Sequence, residues 1–199
     1  MPIMHIMSRR GWVLALTLLT ASPVVAQRIN FGIYTTSQGL SATVSGNLNF
    51  NAKQPIIASN SNTSVTITLN DDACQWIEIT GDATRDITIT ITPDPYLTIG
   101  AGGPGNQIPF TCQFAYSNLG STLSAAKGVA VQIPGGFTSI TLPMLRRTSG
   151  VPAPPPTPAH GGYTPPSIKA YLFLYGTLGP VGNVSAGYYT GTVNVSVQY

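Results

Sequence analysis

Apolar and polar residues alternate through most of this sequence, and the pattern is sharpest at its end, GYYTGTVNVSVQY (187–199). From Tyr189 onward the odd positions are Tyr189, Gly191, Val193, Val195, Val197 and Tyr199, while the even ones are Thr190, Thr192, Asn194, Ser196 and Gln198. Successive side chains of a strand project to opposite faces, so this segment has one apolar face and one polar face. A strand like this, without charge or proline, must be paired and covered on one face, or it becomes a template for another chain.

The same period recurs upstream, bounded by Gly, Asn, Asp and Pro turns. INFGIY (29–34), SATVSGNLNF (41–50), SVTITL (64–69), CQWIEIT (74–80) and DITITIT (86–92) all read as strands. YLTIG, FTCQFAY, GVAVQI, FTSITL and IKAYLFLYG continue the series. Thr and β-branched residues fill these segments, as half-buried pleated surfaces favour, and the turn spacing suits a sandwich or barrel. LGSTLSAAKG (119–128) alone could hold a helical turn or two.

Residues 1–26 are set aside as a predicted secretory signal. Arg9 and Arg10 form a charged end, an apolar run follows from Gly11 to Leu19, and Val24 and Ala26 suit cleavage before Gln27. Met1, Met4 and Met7 are all candidate starts, with the compact signal beginning at Met7. A membrane anchor is the competing reading, but the apolar run is shorter than the roughly 20 residues a spanning helix needs. The expected location is outside the cytoplasm: periplasm in transit, then the cell surface, a fimbrium or the medium. What remains, residues 27–199, suits one domain with one hydrophobic core.

Removing Arg9 and Arg10 lowers the formal net charge from +3 to +1. The other bases are scattered, without a stripe that could follow a phosphate backbone, which argues against nucleic acid. Charged residues are 8% of the chain, a balance that suits an extracellular all-β protein better than a cytosolic enzyme and is not that of a disordered chain. In an exported protein the pair Cys74 and Cys112 reads most simply as a disulfide closing a loop of 39 residues. On the chain-entropy account that link would stabilise the fold by roughly 4 kcal/mol.

PMLRRTSGVPAPPPTPAHGGYTPP contains eight of the 17 prolines. Such a run lacks ladder donors, so residues 143–167 are expected to be a surface loop inserted between two strands. The sole histidine beyond the signal, His160, lies in it without a nucleophile elbow and reads as a solvated loop residue. All six acids fall between Asp71 and Asp94, but the placement of Asp71, Asp72, Asp82 and Asp94 is turn chemistry, and the spacing matches no calcium loop. Trp76 reads as core, and Tyr163, Tyr171, Tyr175, Tyr188 and Tyr189 as sheet packing or, less simply, a sugar-binding surface. No catalytic set, metal or cofactor is expected.

Two stretches carry a resemblance. WIEITGDATRDITITI (76–91) and IKAYLFLYGTLGPVGNVSAGYYTGTVNVSVQY (168–199) resemble a bacterial secreted family known as domain of unknown function 4402, whose opening strand ending in Phe-Gly is matched by INFG (29–32). In the ending, Gly176, Leu178, Gly187, Tyr189, Gly191, Val195 and Val197 fall in the family's order. More distantly it is similar to spore-coat-U-like and chaperone-usher pilins, in which a glycine precedes a near-terminal tyrosine by twelve residues, as Gly187 precedes Tyr199. The resemblance implies an immunoglobulin-like antiparallel β-sandwich and makes residues 29–34 the domain's own first strand.

The expected function is therefore a non-enzymatic fimbrial or pilin-like subunit, structural or adhesive, associating by strand addition at Gly187, Tyr189, Gly191, Val193, Val195, Val197 and Tyr199. Its expected partners are a periplasmic chaperone and copies of itself or other fimbrial subunits. A monomeric secreted module that binds a glycan or protein is the alternative.

Overall fold

The computed structural model describes residues 27–35, 39–54, 56, 62–119, 122–146 and 166–199. The predicted signal, and residues 147–165 with His160 and Tyr163, lie outside them.

The described chain is all-β. Its first strands are β1 (Gln27–Thr35), β2 (Ser41–Val44), β3 (Leu48–Asn49) and β4 (Val65–Ile67), with a one-turn helix α1 (Phe50–Lys53) after β3. Then come β5 (Gln75–Asp82), β6 (Asp86–Pro93), β7 (Tyr96–Thr98) and β8 (Gln107–Ser117). The short helix α2 (Leu123–Gly128) leads to β9 (Val131–Ile133), β10 (Ser139–Pro143), β11 (Ser167–Leu178) and β12 (Tyr189–Gln198). One layer of the sandwich runs β10, β6, β12, β1, β3; the other runs β9, β8, β11, β5, β2, with β4 on β11 beyond the end of β5. β8 turns the corner between them, pairing with β7 through Gln107–Pro109 and with β11 from Phe110 onward.

Alternation decides which side chains fill the gap between layers. In β6, Ile87, Ile89 and Ile91 are buried, while Thr88 and Thr90 face outward and meet Thr141 and Ser139 of β10 at 3.0 and 3.2 Å. Ile77 and Ile79 of β5 and Leu172 and Leu174 of β11 close the core from the other layer. Each such side chain contributes roughly 1.5–3 kcal/mol by leaving water. The strand expected over 41–50 breaks at 45–47 into β2, which pairs with β5 in one layer, and β3, which pairs with β1 in the other. β3 ends where the Asn49 side chain accepts from the Asn51 N–H at 3.1 Å and caps α1. That turn sends Phe50 inward, edge-on to Phe110 with ring centres 5.9 Å apart.

β11 departs from the two-faced pattern, since every residue from Ala170 to Gly176 is buried. Its outward face carries Tyr171 and Phe173, stacked at 6.3 Å, and α2 packs over this strand. Thr122 caps α2, and Lys127 fixes its far end by donating from Nζ to the Asp71 carbonyl at 2.9 Å. A strand covered on both faces needs an apolar run, which is what IKAYLFLYG supplies.

Two expectations are corrected. The sandwich is not wholly antiparallel, because β1 lies parallel to β12. Nor are Cys74 and Cys112 bonded to each other: both thiols are free. β11 runs between them, with Cys112 opposite Gly176 on one flank and the Cys74 thiol 3.5 Å from the Leu174 carbonyl on the other. Two strand spacings come to about 9.6 Å. A disulfide spans at most about 7 Å between Cα atoms.

Candidate functional site

The terminal strand β12 is an interior strand. β1 borders one edge in unbroken register from Gln27↔Tyr189 to Thr35↔Val197. On the other edge β6 pairs with Val193–Gln198, and β7 meets Thr190 through Thr98. Asp94 reinforces that side: its carboxylate accepts from the Thr192 N–H at 2.7 Å while its own N–H donates to the Thr192 carbonyl at 2.8 Å. Tyr189, Val193, Val195 and Val197 are fully buried, and the Tyr189 hydroxyl donates to the Ser185 carbonyl at 2.7 Å. Burial pushes the Tyr189 phenol above its ordinary pKa.

The residues singled out in the sequence hold the two ends of this strand. Gly187 has φ +155°, and a Cβ there would lie 2.3 Å from Ile99 Cδ1, so only glycine lets the chain enter β12 at this place. At the far end the Tyr199 hydroxyl accepts from the Asp82 N–H at 2.6 Å, crossing from one layer to the other. Gly191 faces β7, where a Cβ would sit 3.3 Å from the Tyr96 carbonyl.

β1 is held less evenly. Ile29 is fully buried, Phe31 and Ile33 pack half-buried against the core, and the strand's second edge pairs with β3 only through Arg28 and Ile29. From Asn30 to Thr35 that edge is paired with no strand among the described residues.

The acids do not converge. Asp71 accepts from Lys53 and from the Thr68 N–H and hydroxyl, contacts that lower its carboxyl pKa to about 2. Asp82 accepts from the Thr84 N–H and hydroxyl at 2.8 Å, an Asx turn. Glu78 stands on the outer face of β5, paired with Lys169 at 2.8 Å and within 3.4 Å of the Tyr171 hydroxyl. That carboxylate raises the Lys169 pKa. Among the described residues no three His, Cys, Asp or Glu side chains group as metal ligands. Tyr171, Tyr175 and Tyr189 are buried and Tyr188 is exposed, so the tyrosines form no common surface. Trp76 lies half-buried against the core.

One feature had no separate signal in the sequence. Where one layer ends at β10 and the other at β9, a cleft of about 610 Å³ opens between them. Leu119, Val129 and Val131 line one wall and Ile140 and Leu142 the other, with Tyr116 also lining the cleft. Arg146, exposed beyond the Pro143 end of β10, is the single charged residue among the described residues of the lining. Tyr116 Oη and Asn118 Nδ2 both donate to the Pro143 carbonyl, at 2.9 and 2.8 Å, and so tie the edge of β10 to β8. Burial, with the nearby Asp86 charge, raises the Tyr116 pKa. A second cleft of about 220 Å³ adjoins through Ile133 and Pro134 and reaches Cys112.

No family model matches this chain, and no curated protein matches it.

Proposed function

We propose that this chain is an exported, non-enzymatic surface protein of the fimbrial or pilin-like kind, a structural or adhesive subunit that associates by strand addition through the place β1 occupies. The observation that carries the reading is the nine-residue parallel pairing of β1 with β12. With β6 and β7 on its other side, β12 can take a strand only where β1 now lies. The same segment of a second copy would make the same main-chain bonds and fill the same pockets with Ile29, Phe31 and Ile33. Exchange then changes chain connectivity but few contacts. A periplasmic chaperone could hold that place during transit.

The second reading is a monomeric secreted module for a glycan or protein ligand. It is favoured by the fact that the place beside β12 is already filled from within the chain, and by the apolar cleft between β9 and β10.

The test is a variant lacking residues 27–35, supplied with a synthetic peptide of those residues, alongside the intact protein on an unboiled gel. Strand addition predicts that the peptide restores cooperative unfolding and that the intact protein gives a heat-sensitive ladder. A protein that stays monomeric at every concentration, with a deletion variant that the peptide does not rescue, supports the second reading instead.

A further inference from the structure

The cleft between β9 and β10 has a composition that the strand-exchange reading leaves unused. Its volume of about 610 Å³ falls within the range of sites that enclose small ligands, about 300–1,000 Å³. Val131 is 72% exposed at its rim and Val129 49%, an apolar surface left to water where two sheet edges fail to meet. The polar atoms of the lining are largely spent on the protein itself. Tyr116 Oη and Asn118 Nδ2 donate to the Pro143 carbonyl, and Ser117 Oγ donates to the Leu119 carbonyl. Little remains to orient a sugar or another ligand rich in hydroxyl groups. Besides the exposed Gln132 amide, the exception is the Arg146 guanidinium, a permanent positive charge with no carboxylate among the described lining residues.

From this we infer that the cleft binds a single-chain anionic amphiphile, a carboxylate on an unbranched hydrocarbon tail, with the tail between Val131 and Leu142 and the head against Arg146. Apolar walls hold the chain without directional demands, and a planar guanidinium is suited to a carboxylate. An extended peptide is a poorer match for the same space. Pro143 has no N–H to offer, and its carbonyl already accepts two bonds, so the free edge of β10 is cut short. The site does not depend on strand exchange, since β6 stands between β10 and β12.

The experiment is calorimetric titration of the intact protein with dodecanoate below its micelle-forming concentration. Parallel titrations use dodecanol, dodecyltrimethylammonium, phosphatidylcholine–phosphatidylglycerol vesicles, and a hexapeptide of alternating Val and Thr. Saturable one-to-one binding of dodecanoate is expected, with dodecanol about tenfold weaker because it lacks the charge-assisted bond. Arg146→Ala should remove that preference, and Val131→Asp should abolish binding. Both residues are exposed, so neither change should move the melting temperature. Absence of saturable binding, equal binding of the cationic analogue, an unchanged preference in Arg146→Ala, binding to vesicles alone, or binding of the peptide in place of dodecanoate would each overturn the inference.

Discussion

The Tyr199 hydroxyl accepts a hydrogen bond from the Asp82 main-chain N–H at 2.6 Å, joining the end of β12 in one layer to the end of β5 in the other. The same hydroxyl donates to the Gly39 carbonyl at 3.3 Å, and the Arg85 guanidinium lies 4.8 Å from the ring centre. Gly81 makes the approach possible, since a Cβ there would fall 2.7 Å from the hydroxyl and 2.8 Å from Leu40 Cδ1. Tyr199→Phe leaves the Asp82 N–H without its acceptor and should cost about 1–3 kcal/mol. Gly81→Ala should cost a similar ~1–3 kcal/mol through overpacking. In the double variant the two losses should fall short of their sum, because the hydroxyl that the added methyl group would meet is gone. Urea midpoints of the four proteins check this, and full additivity would contradict the contact.

Free thiols give a second prediction. Adding a reductant should leave the melting temperature unchanged, and a thiol reagent should reach the buried Cys74 only after unfolding, while Cys112, half-buried at the smaller cleft, should react more slowly in the folded protein than in the unfolded one. Burial holds the Cys74 pKa up at about 11 and the Cys112 pKa up at about 12, both above the unfolded value. Their contribution is therefore fully present below about pH 8.5, where unfolded thiols begin to ionise, and declines as pH rises through the folded values. The slope is up to about 1.4 kcal/mol per pH unit for each thiol. Tyrosines titrate in the same range, so the test compares the wild type with Cys74→Ala/Cys112→Ala, which should lose stability less steeply above pH 9.

At the acid end the sign reverses. Lys53 and Thr68 hold the Asp71 carboxyl pKa down at about 2, below its ordinary 3.8. Its contribution is fully present above about pH 4 and is lost as pH falls through 2. Asp71→Asn should flatten the stability profile in that window, measured by urea unfolding between pH 2 and 5. An equally steep fall in the variant would assign the acid sensitivity to other groups.

The faces of the strands were legible in the sequence because a strand's period is local. Ile87, Ile89 and Ile91 alternate with threonines, and that alone places the isoleucines inward. Strand order was not legible, since it joins distant residues. The disulfide expectation failed because β11, which separates Cys74 from Cys112, begins at Ser167, far beyond both. The parallel β1–β12 pair unites the two ends of the described chain, and nothing in INFGIY indicates which strand it borders. Val131 and Ile140 show the alternation of core residues, yet they line a cleft because both layers stop at the strands that carry them.

Gln27 is fully buried at the start of β1, and neither its Oε1 nor its Nε2 has a hydrogen-bond partner among the described residues. A buried amide left unpaired costs about 1–3 kcal/mol. Gln27→Met keeps the length of the side chain and removes the polar atoms, so it should raise stability toward that amount. A lower urea midpoint in the variant would show that the amide is satisfied in solution.

The parity of β12 gives the most direct test of the sandwich. Val195 is fully buried, while Gln198 on the opposite face is exposed. Val195→Lys puts an ammonium group where no acid faces it along the strand, since its partners across β1 and β6 are Ile33 and Ile91. It should destabilise by more than about 4 kcal/mol or prevent accumulation of folded protein, and Val193→Lys should behave alike. Gln198→Lys, three residues along the same strand, should stay within about 0.5 kcal/mol of the wild type. Removing 188–199 takes away the strand that joins β1 to β6, so no folded monomer should remain. A stable truncated monomer would mean that the strand is dispensable to the core. Loss of oligomers alone, with the fold kept, would instead place its role in assembly.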